Sequence, residues 1–142
     1  METILLFQAI FDCSRLTKLG LFNAYSLSGD LFRVLGNYLP NLKHLKVCNA
    51  CQLTSEDFCY LFTNNKTEMM KLNHLDVSGC WRLRDDGLKH VADTCSGNLQ
   101  YLSIKCCKLI TNVGVEYIIN HCPNLRHLNV AHTVKLSDSC LK

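Results

Sequence analysis

LQYLSIKCCKLITNVGVEYIINHCPN, residues 99–124, is the stretch from which the rest of the chain can be read. Leu99, Leu102 and Ile104 form an L-x-x-L-x-L phrase. Cys107 follows three residues after Ile104, and Ile110 three after that. Thr111, Asn112, Gly114 and Val115 come next, then Ile118, Ile119 and Cys122, and at Leu125 the phrase begins again. Working outward, its first leucine recurs at Leu16, Leu42, Leu72, Leu99 and Leu125, in steps of 26, 30, 27 and 26 residues. The second slot holds Leu19, Leu45, Leu75, Leu102 and Leu128, and the third Leu21, Val47, Val77, Ile104 and Val130. Six residues later stand Leu27, Leu53, Leu83, Ile110 and Leu136, and five beyond those Phe32, Phe58, Leu88, Val115 and Leu141. Agreement at all fifteen positions of the L-x-x-L-x-L phrase excludes coincidence.

The hydrophobic period changes inside each unit. L-x-L with an often β-branched third residue predicts a short strand. After a turn, Leu88, Val91, Ala92 and Cys95 fall at helical spacing, as do Val115, Ile118, Ile119 and Cys122, which predicts a helix with one apolar stripe. A strand plus a helix in 26 to 30 residues lies near the leucine-rich-repeat period. One unit cannot bury its strand face and helix stripe alone, so units must stack. The expected fold is an α/β solenoid, a right-handed horseshoe segment with a parallel concave sheet and helices on the convex side. The 142 residues form a single domain: 1–15 a partial repeat, 16–41, 42–71, 72–98 and 99–124 full repeats, 125–142 a truncated one. In the second full unit a polar insertion around Thr63–Glu68 is expected to widen the helix-to-strand loop, with Met69 replacing the terminal cysteine. Pro40 and Pro123, each shortly before a first leucine, stop the helix and direct the chain to the next strand.

Cys80-x-x-Leu83-Arg84-Asp85-x-Gly87-Leu88 with Cys95, and Cys107-x-x-Ile110-Thr111-Asn112-x-Gly114-Val115 with Cys122, resemble the cysteine-containing class of leucine-rich repeats. That class is best known from F-box/LRR proteins, the substrate-recognition subunits of SCF ubiquitin ligases, and from F-box-free relatives. The resemblance covers essentially the whole chain. Ala24, Ala50 and Thr133 depart from it where Cys or Asn is common, and Cys140 stands in the Gly slot. It implies a protein-interaction module that selects substrates for ubiquitin-dependent degradation. The alternative is a leucine-rich-repeat scaffold or assembly subunit, ciliary, cytoskeletal or regulatory, with no degradation role. The F-box, a helical adaptor-binding segment, is not among these residues, so a ligase adaptor is an expected partner only of a longer product. The missing polar caps at either end suggest a fragment.

Net charge is +3, with basic residues spread over the repeats and no polybasic run. No nucleic acid or membrane is therefore expected as partner. Residues 1–15 include an apolar run, Ile4–Phe11, too short to span a bilayer. Its spacing of Leu6, Ala9, Ile10 and Cys13 matches a repeat's helix instead. Ten cysteines raise the question of disulfides, but Cys80 and Cys107 fill the slot after the strand, and Cys13, Cys95 and Cys122 the last core position of the helix. These are expected to be reduced, buried thiols in an intracellular protein, cytoplasmic or nuclear. Asn65-Lys66-Thr67 matches a glycosylation acceptor, idle in that setting.

Candidate chemistry is sparse. Cys48-x-x-Cys51 has metal-ligand spacing but lacks a second pair nearby, so coincidence in a cysteine-rich repeat is the reading. His44, His74, Tyr101 and His127, with Lys18, precede the second leucines and should stack in one column on the concave sheet. They suit packing better than a metal, since no carboxylate or thiolate completes a site there. No nucleophile elbow or phosphate loop appears, so no enzyme activity and no cofactor are expected. What remains is a surface. Gly20, Lys46, Asp76, Ser103 and Asn129 should face away from the helices, followed two positions on by Phe22, Cys48, Ser78, Lys105 and Ala131. Trp81 and Arg82 lie in the loop after the third strand. The ring of Trp81 either anchors a partner or covers the loop core. The expected partner-binding set is His44, Lys46, His74, Asp76, Trp81, Arg82, Tyr101, Ser103, Lys105, His127 and Asn129, gripping a protein on the concave face and rim.

Overall fold

The computed structural model describes residues 14–133, 135–137 and 139. Five short strands alternate with helices: β1 (Lys18–Leu21), α1 (Gly29–Tyr38), β2 (His44–Val47), α2 (Ser55–Asn64), α3 (Lys66–Met69), β3 (His74–Asp76), α4 (Asp85–Cys95), β4 (Tyr101–Ser103), α5 (Asn112–His121) and β5 (His127–Asn129). The strands form one parallel sheet in the order of the sequence. Its register pairs Leu19 with Leu45, Leu45 with Leu75, Leu75 with Leu102 and Leu102 with Leu128, so the second leucines are successive rungs. Behind the sheet α1 packs on α2, α2 on α4 and α4 on α5. The core is the ribbon between the two layers, where Leu45, Leu75 and Leu102 are buried with Phe32, Phe58 and Leu88 from the helices.

Recurring polar devices fix the stacking. The residue after the strand tip lies in the left-handed region in every unit: Asn23, Asn49, Gly79, Cys106 and His132 have φ between 52° and 74°. Glycine and asparagine suit that region; Cys106 and His132 adopt it at a cost. In three units the slot that follows donates back to the preceding unit. The Cys80 thiol donates to the Val47 carbonyl at 3.3 Å, the Cys107 thiol to Val77 at 3.2 Å, and the Thr133 hydroxyl to Ile104 at 3.0 Å. Thr133 thus does with oxygen what the cysteines do with sulfur. A third ladder sits just before the first leucine, where the Asn41, Asn98 and Asn124 amides donate to the carbonyls of Ser14, Met70 and Gly97, one unit back. Three helices begin on side-chain caps, α4 after Arg84 being without one: Ser28 and Thr111 accept from backbone N–H groups, and Thr54 with Asp57 forms a capping box.

Two expectations need correction. The insertion around residues 63–68 is not simply a wider loop: α3, a one-turn helix, occupies much of it. Asn65 between α2 and α3 is 2% exposed, its amide donating to the carbonyls of Leu61 and Arg33. Such a side chain cannot take a glycan in the folded state. Ile119, read as a core position, is 45% exposed, whereas its equivalent Ala92 is buried. Beyond α4 stands α5, but no described helix lies beyond α5. Residues 1–13 of the expected partial repeat, 1–15, and the position of Leu141 fall outside the described residues.

Candidate binding face

Alternation along each strand turns the residue before the second leucine, and the one after it, away from the helices. The first set forms a column of rings. His44 and His74 stack with centroids 5.0 Å apart, and His74 and Tyr101 lie parallel at 4.0 Å. His127 tilts against Tyr101 at 6.2 Å. The cause is the register, which puts these residues opposite one another on adjacent strands. Nε2 of His74 is buried without a hydrogen-bond partner. Burial first, then the neighbouring His44 and Lys46, holds His74 below the ordinary histidine value. His44 is lowered too, by burial and then by Lys18 and Lys46. Both environments therefore favour the neutral imidazole over the charged one.

The second column runs Gly20, Lys46, Asp76, Ser103 and Asn129. Its centre is a closed network. Ser103 donates to Ser78 at 2.9 Å, and Ser78 donates to Asp76 through its hydroxyl at 2.5 Å and its N–H at 3.0 Å. Ser103 is 1% exposed, so it belongs to the floor and not, as expected from alternation, to the contact surface. Cys48 joins the floor: burial, and next the Asp76 carboxylate, pushes its thiol up to about 11. Lys46 and Asp76 are half-buried neighbours, and Lys105 is exposed. Asn129 is partly exposed and its side chain accepts from the Ala131 N–H at 3.0 Å.

Trp81 is 49% exposed, so its ring is a rim feature and does not simply cover the loop core. The Lys108 ammonium sits 4.9 Å from its centroid. Arg82 beside it is exposed. Three residues outside the expected set join them. Phe22, 64% exposed, lies across β1, where a Cβ at Gly20 would come within 2.8 Å of Phe22 Cε2. Tyr25, 54% exposed, and Lys108 share the repeat slot of Trp81, the residue after Ala24, Cys107 and Cys80. That shared slot was the signal by which the sequence could have identified them.

Charge, scattered along the sequence, is sorted by the fold. Among the acids whose side chains are described, Asp30, Glu56, Asp57, Asp85, Asp86, Asp93 and Glu116 all lie in helices, leaving Asp76 as the sheet's carboxylate. Lys18, Lys43, Lys46, Arg82, Lys105, Lys108, Arg126 and Lys135 lie in strands or the loops flanking them. The ion pair among described residues, Arg33 with Asp57 at 2.9 Å, is on the helices. No group of three or more His, Cys, Asp or Glu among the described residues could hold a metal, and none of the described helices is long and apolar enough to cross a membrane. The buried thiols are unreactive by environment: burial raises Cys80 and Cys95 far above the usual range and Cys107 to about 12.

A family model described as Leucine Rich repeat matches residues 68–92, 96–118 and 121–139. Among solved structures, the chain is similar to one in the crystal structure of the Rad7 and Elc1 complex in yeast, with a TM-score of 0.86 and 21% sequence identity. The match covers 98% of this chain and 35% of that one, so this chain spans about a third of its relative's length. At that identity the likeness speaks to fold alone.

Proposed function

We propose that this chain, a leucine-rich-repeat solenoid, is the substrate-recognition array of an F-box/LRR-type subunit of an SCF ubiquitin ligase, gripping a partner protein on its concave sheet and rim. One observation carries the binding half of that reading. Five strands in unbroken register present side chains that the core does not use, with Trp81 and Arg82 exposed at the rim. Stacked repeats generally bind extended protein surfaces on such faces, and Trp and Arg are frequent interface anchors. The degradation half is supported by the cysteine-containing repeat phrase around Cys80 and Cys107. The similar yeast chain was crystallised as a Rad7 and Elc1 complex, which fits an array of this kind working inside an assembly.

Affinity capture of the tagged protein from cells, followed by mass spectrometry, tests both halves. Cullin-ligase components together with partners that are lost on Lys46→Ala/Lys105→Ala, at unchanged melting temperature, support the reading. Recovery of stable partners without any ligase component favours the scaffold alternative. Partners that survive the concave-face change untouched place binding elsewhere and refute the face assignment.

A further inference from the structure

Resting on that concave-face reading, we infer that the sheet takes an extended acidic polypeptide segment running across the strands. It would carry an apolar side chain set against Phe22 at β1 and carboxylates on the lysines of β2 and of the loop after β4. Three observations on the same face point to this ligand. The first is sign: strands and flanking loops carry cations, while the described carboxylates other than Asp76 are on the helices. Lys18, Lys46 and Lys105 make no ion pair within 4 Å among the described residues, so there their charge is directed to solvent or to a ligand. Asp76 is engaged by Ser78 and does not neutralise them.

The second is placement. The cations form two clusters, Lys18 and Lys46 on β1 and β2, and Lys105 and Lys108 after β4. Between them lie the stacked rings of His44, His74 and Tyr101 and the Asp76 carboxylate. A phosphodiester strand needs a continuous cationic track and would meet Asp76 midway. Discrete carboxylates on an otherwise neutral chain fit the interruption. Two strand spacings, about 10 Å, separate the clusters, which is about three residues of extended chain. The third is the anchor. Phe22 is the most exposed large apolar side chain described, and its ring lies on the floor over Gly20, directly beside Lys46 in the register. The resulting consensus has an apolar residue followed, one or two positions on, by two acidic residues about three apart.

The test is selection of a random displayed-peptide library, about 12 residues long and so able to cross the ~20 Å of five strands, on the purified chain. Binding is then measured by fluorescence polarisation and mapped by hydrogen exchange. We expect enriched peptides to be acidic with an apolar residue and to protect β1 to β4. Their affinity should fall about tenfold or more in Lys46→Glu/Lys105→Glu, and likewise when salt is raised from about 0.05 M to about 0.5 M. Phe22→Ala should weaken them several-fold without changing that salt dependence. Far-UV circular dichroism checks the variants, and Lys105→Glu alone repeats the measurement should the pair melt early. Enrichment of neutral or basic peptides that protect the same strands overturns this inference and leaves the concave-face reading standing. So does tighter binding of an oligothymidylate than of any acidic peptide. No enrichment, or protection confined to the helices, overturns both.

Discussion

Replacing Leu102 by alanine tests the rung register directly. Leu102 is fully buried, with Leu75 on one side of it in the sheet and Leu128 on the other. Truncating a buried leucine costs about 2–5 kcal/mol, and a site that cannot collapse falls toward the upper end, about 4 kcal/mol. Collapse is opposed here because both flanking strands are held at fixed spacing by backbone bonds, including those from Gln100 and Tyr101 to the Asn73 carbonyl and from Arg126 and His127 to the Gln100 carbonyl. With a urea slope of about 2 kcal/mol per molar, the midpoint should fall by about 2 M, and the melting temperature by about 8–16 °C. Leu128→Ala is the internal control. The same side chain on β5 is only partly buried, so its loss should cost about half as much. Since units contact only their neighbours, weakening the fourth unit should also uncouple β5 from the rest and lower the slope itself. Paired urea titrations followed by far-UV circular dichroism read all three quantities. Equal midpoints for the two variants, or a Leu102→Asp protein that melts like the parent, would refute the register and everything built on it.

Other outcomes follow from the same structure. Cys106→Gly relieves a left-handed residue that carries a side chain, φ 61°, and should raise the melting temperature by a few degrees, for a gain of about 1 kcal/mol; Gly79→Ala, whose Cβ would run into Asn49, should lower it. The raised thiols of Cys80, Cys95 and Cys107 bind protons that the unfolded chain has released once pH passes the ordinary thiol value near 9, so stability should be full below that pH and fall as pH climbs toward 12. Urea midpoints measured through that window should drop with a slope that shrinks in Cys107→Thr. The lowered His44 and His74 work in the opposite sense: the unfolded chain protonates first as pH falls through about 6.5, so their contribution is present above that pH and lost below it, and histidine NMR titrations should place both midpoints under the free value. Lys46→Ala/Lys105→Ala should stay within about 0.5 kcal/mol of the parent, whereas adding Asp76→Ala should cost about 1–2 kcal/mol more, because Ser78 loses its acceptor.

The repeat phrase made the fold legible because its buried positions recur at fixed offsets, and burial leaves few alternatives: every second-slot leucine is a rung, and Cys80, Cys107 and Thr133 occupy one shared slot. The ring column was legible for the same reason, since register alone brings His44, His74, Tyr101 and His127 together. Ser103 was not, because alternation predicts which way a side chain points but not whether a neighbour such as Ser78 closes over it. Nor was α3, whose residues depart from the repeat period. The separation of charge was hidden because lysines distant in sequence, such as Lys46 and Lys105, meet on one face only after stacking.

That contrast explains where the chain's individuality resides. A position that faces the core or a neighbouring unit is fixed by what the next unit supplies: the left-handed residue, the thiol or hydroxyl that donates to the preceding strand, the asparagine that reaches back one unit. The coils meet similar demands, so these slots draw on few residue types: Cys80, Cys107 and Thr133 in three units with Ala24 and Ala50 in the other two, and Asn41, Asn98 and Asn124 before three of the five first leucines. Outside the floor formed by Asp76, Ser78, Ser103 and Cys48, the concave slots answer to little within the fold and differ from unit to unit: Gly20 and Lys46 in one column, Phe22 and Lys105 in the next. Variation confined to one face of an otherwise repetitive object is where a recognition code can be written without touching stability. Two residues show the division most clearly. Gly20 gives up a side chain at β1, weakening the strand, and the space it leaves is filled by the exposed ring of Phe22, which contributes little to the core. A sequence shaped for stability alone would reverse that choice. The pair makes sense when β1 exists partly to hold an aromatic surface next to Lys46, and a Gly20→Val/Phe22→Thr protein should accordingly be at least as stable as the parent while losing the ligand that the parent binds.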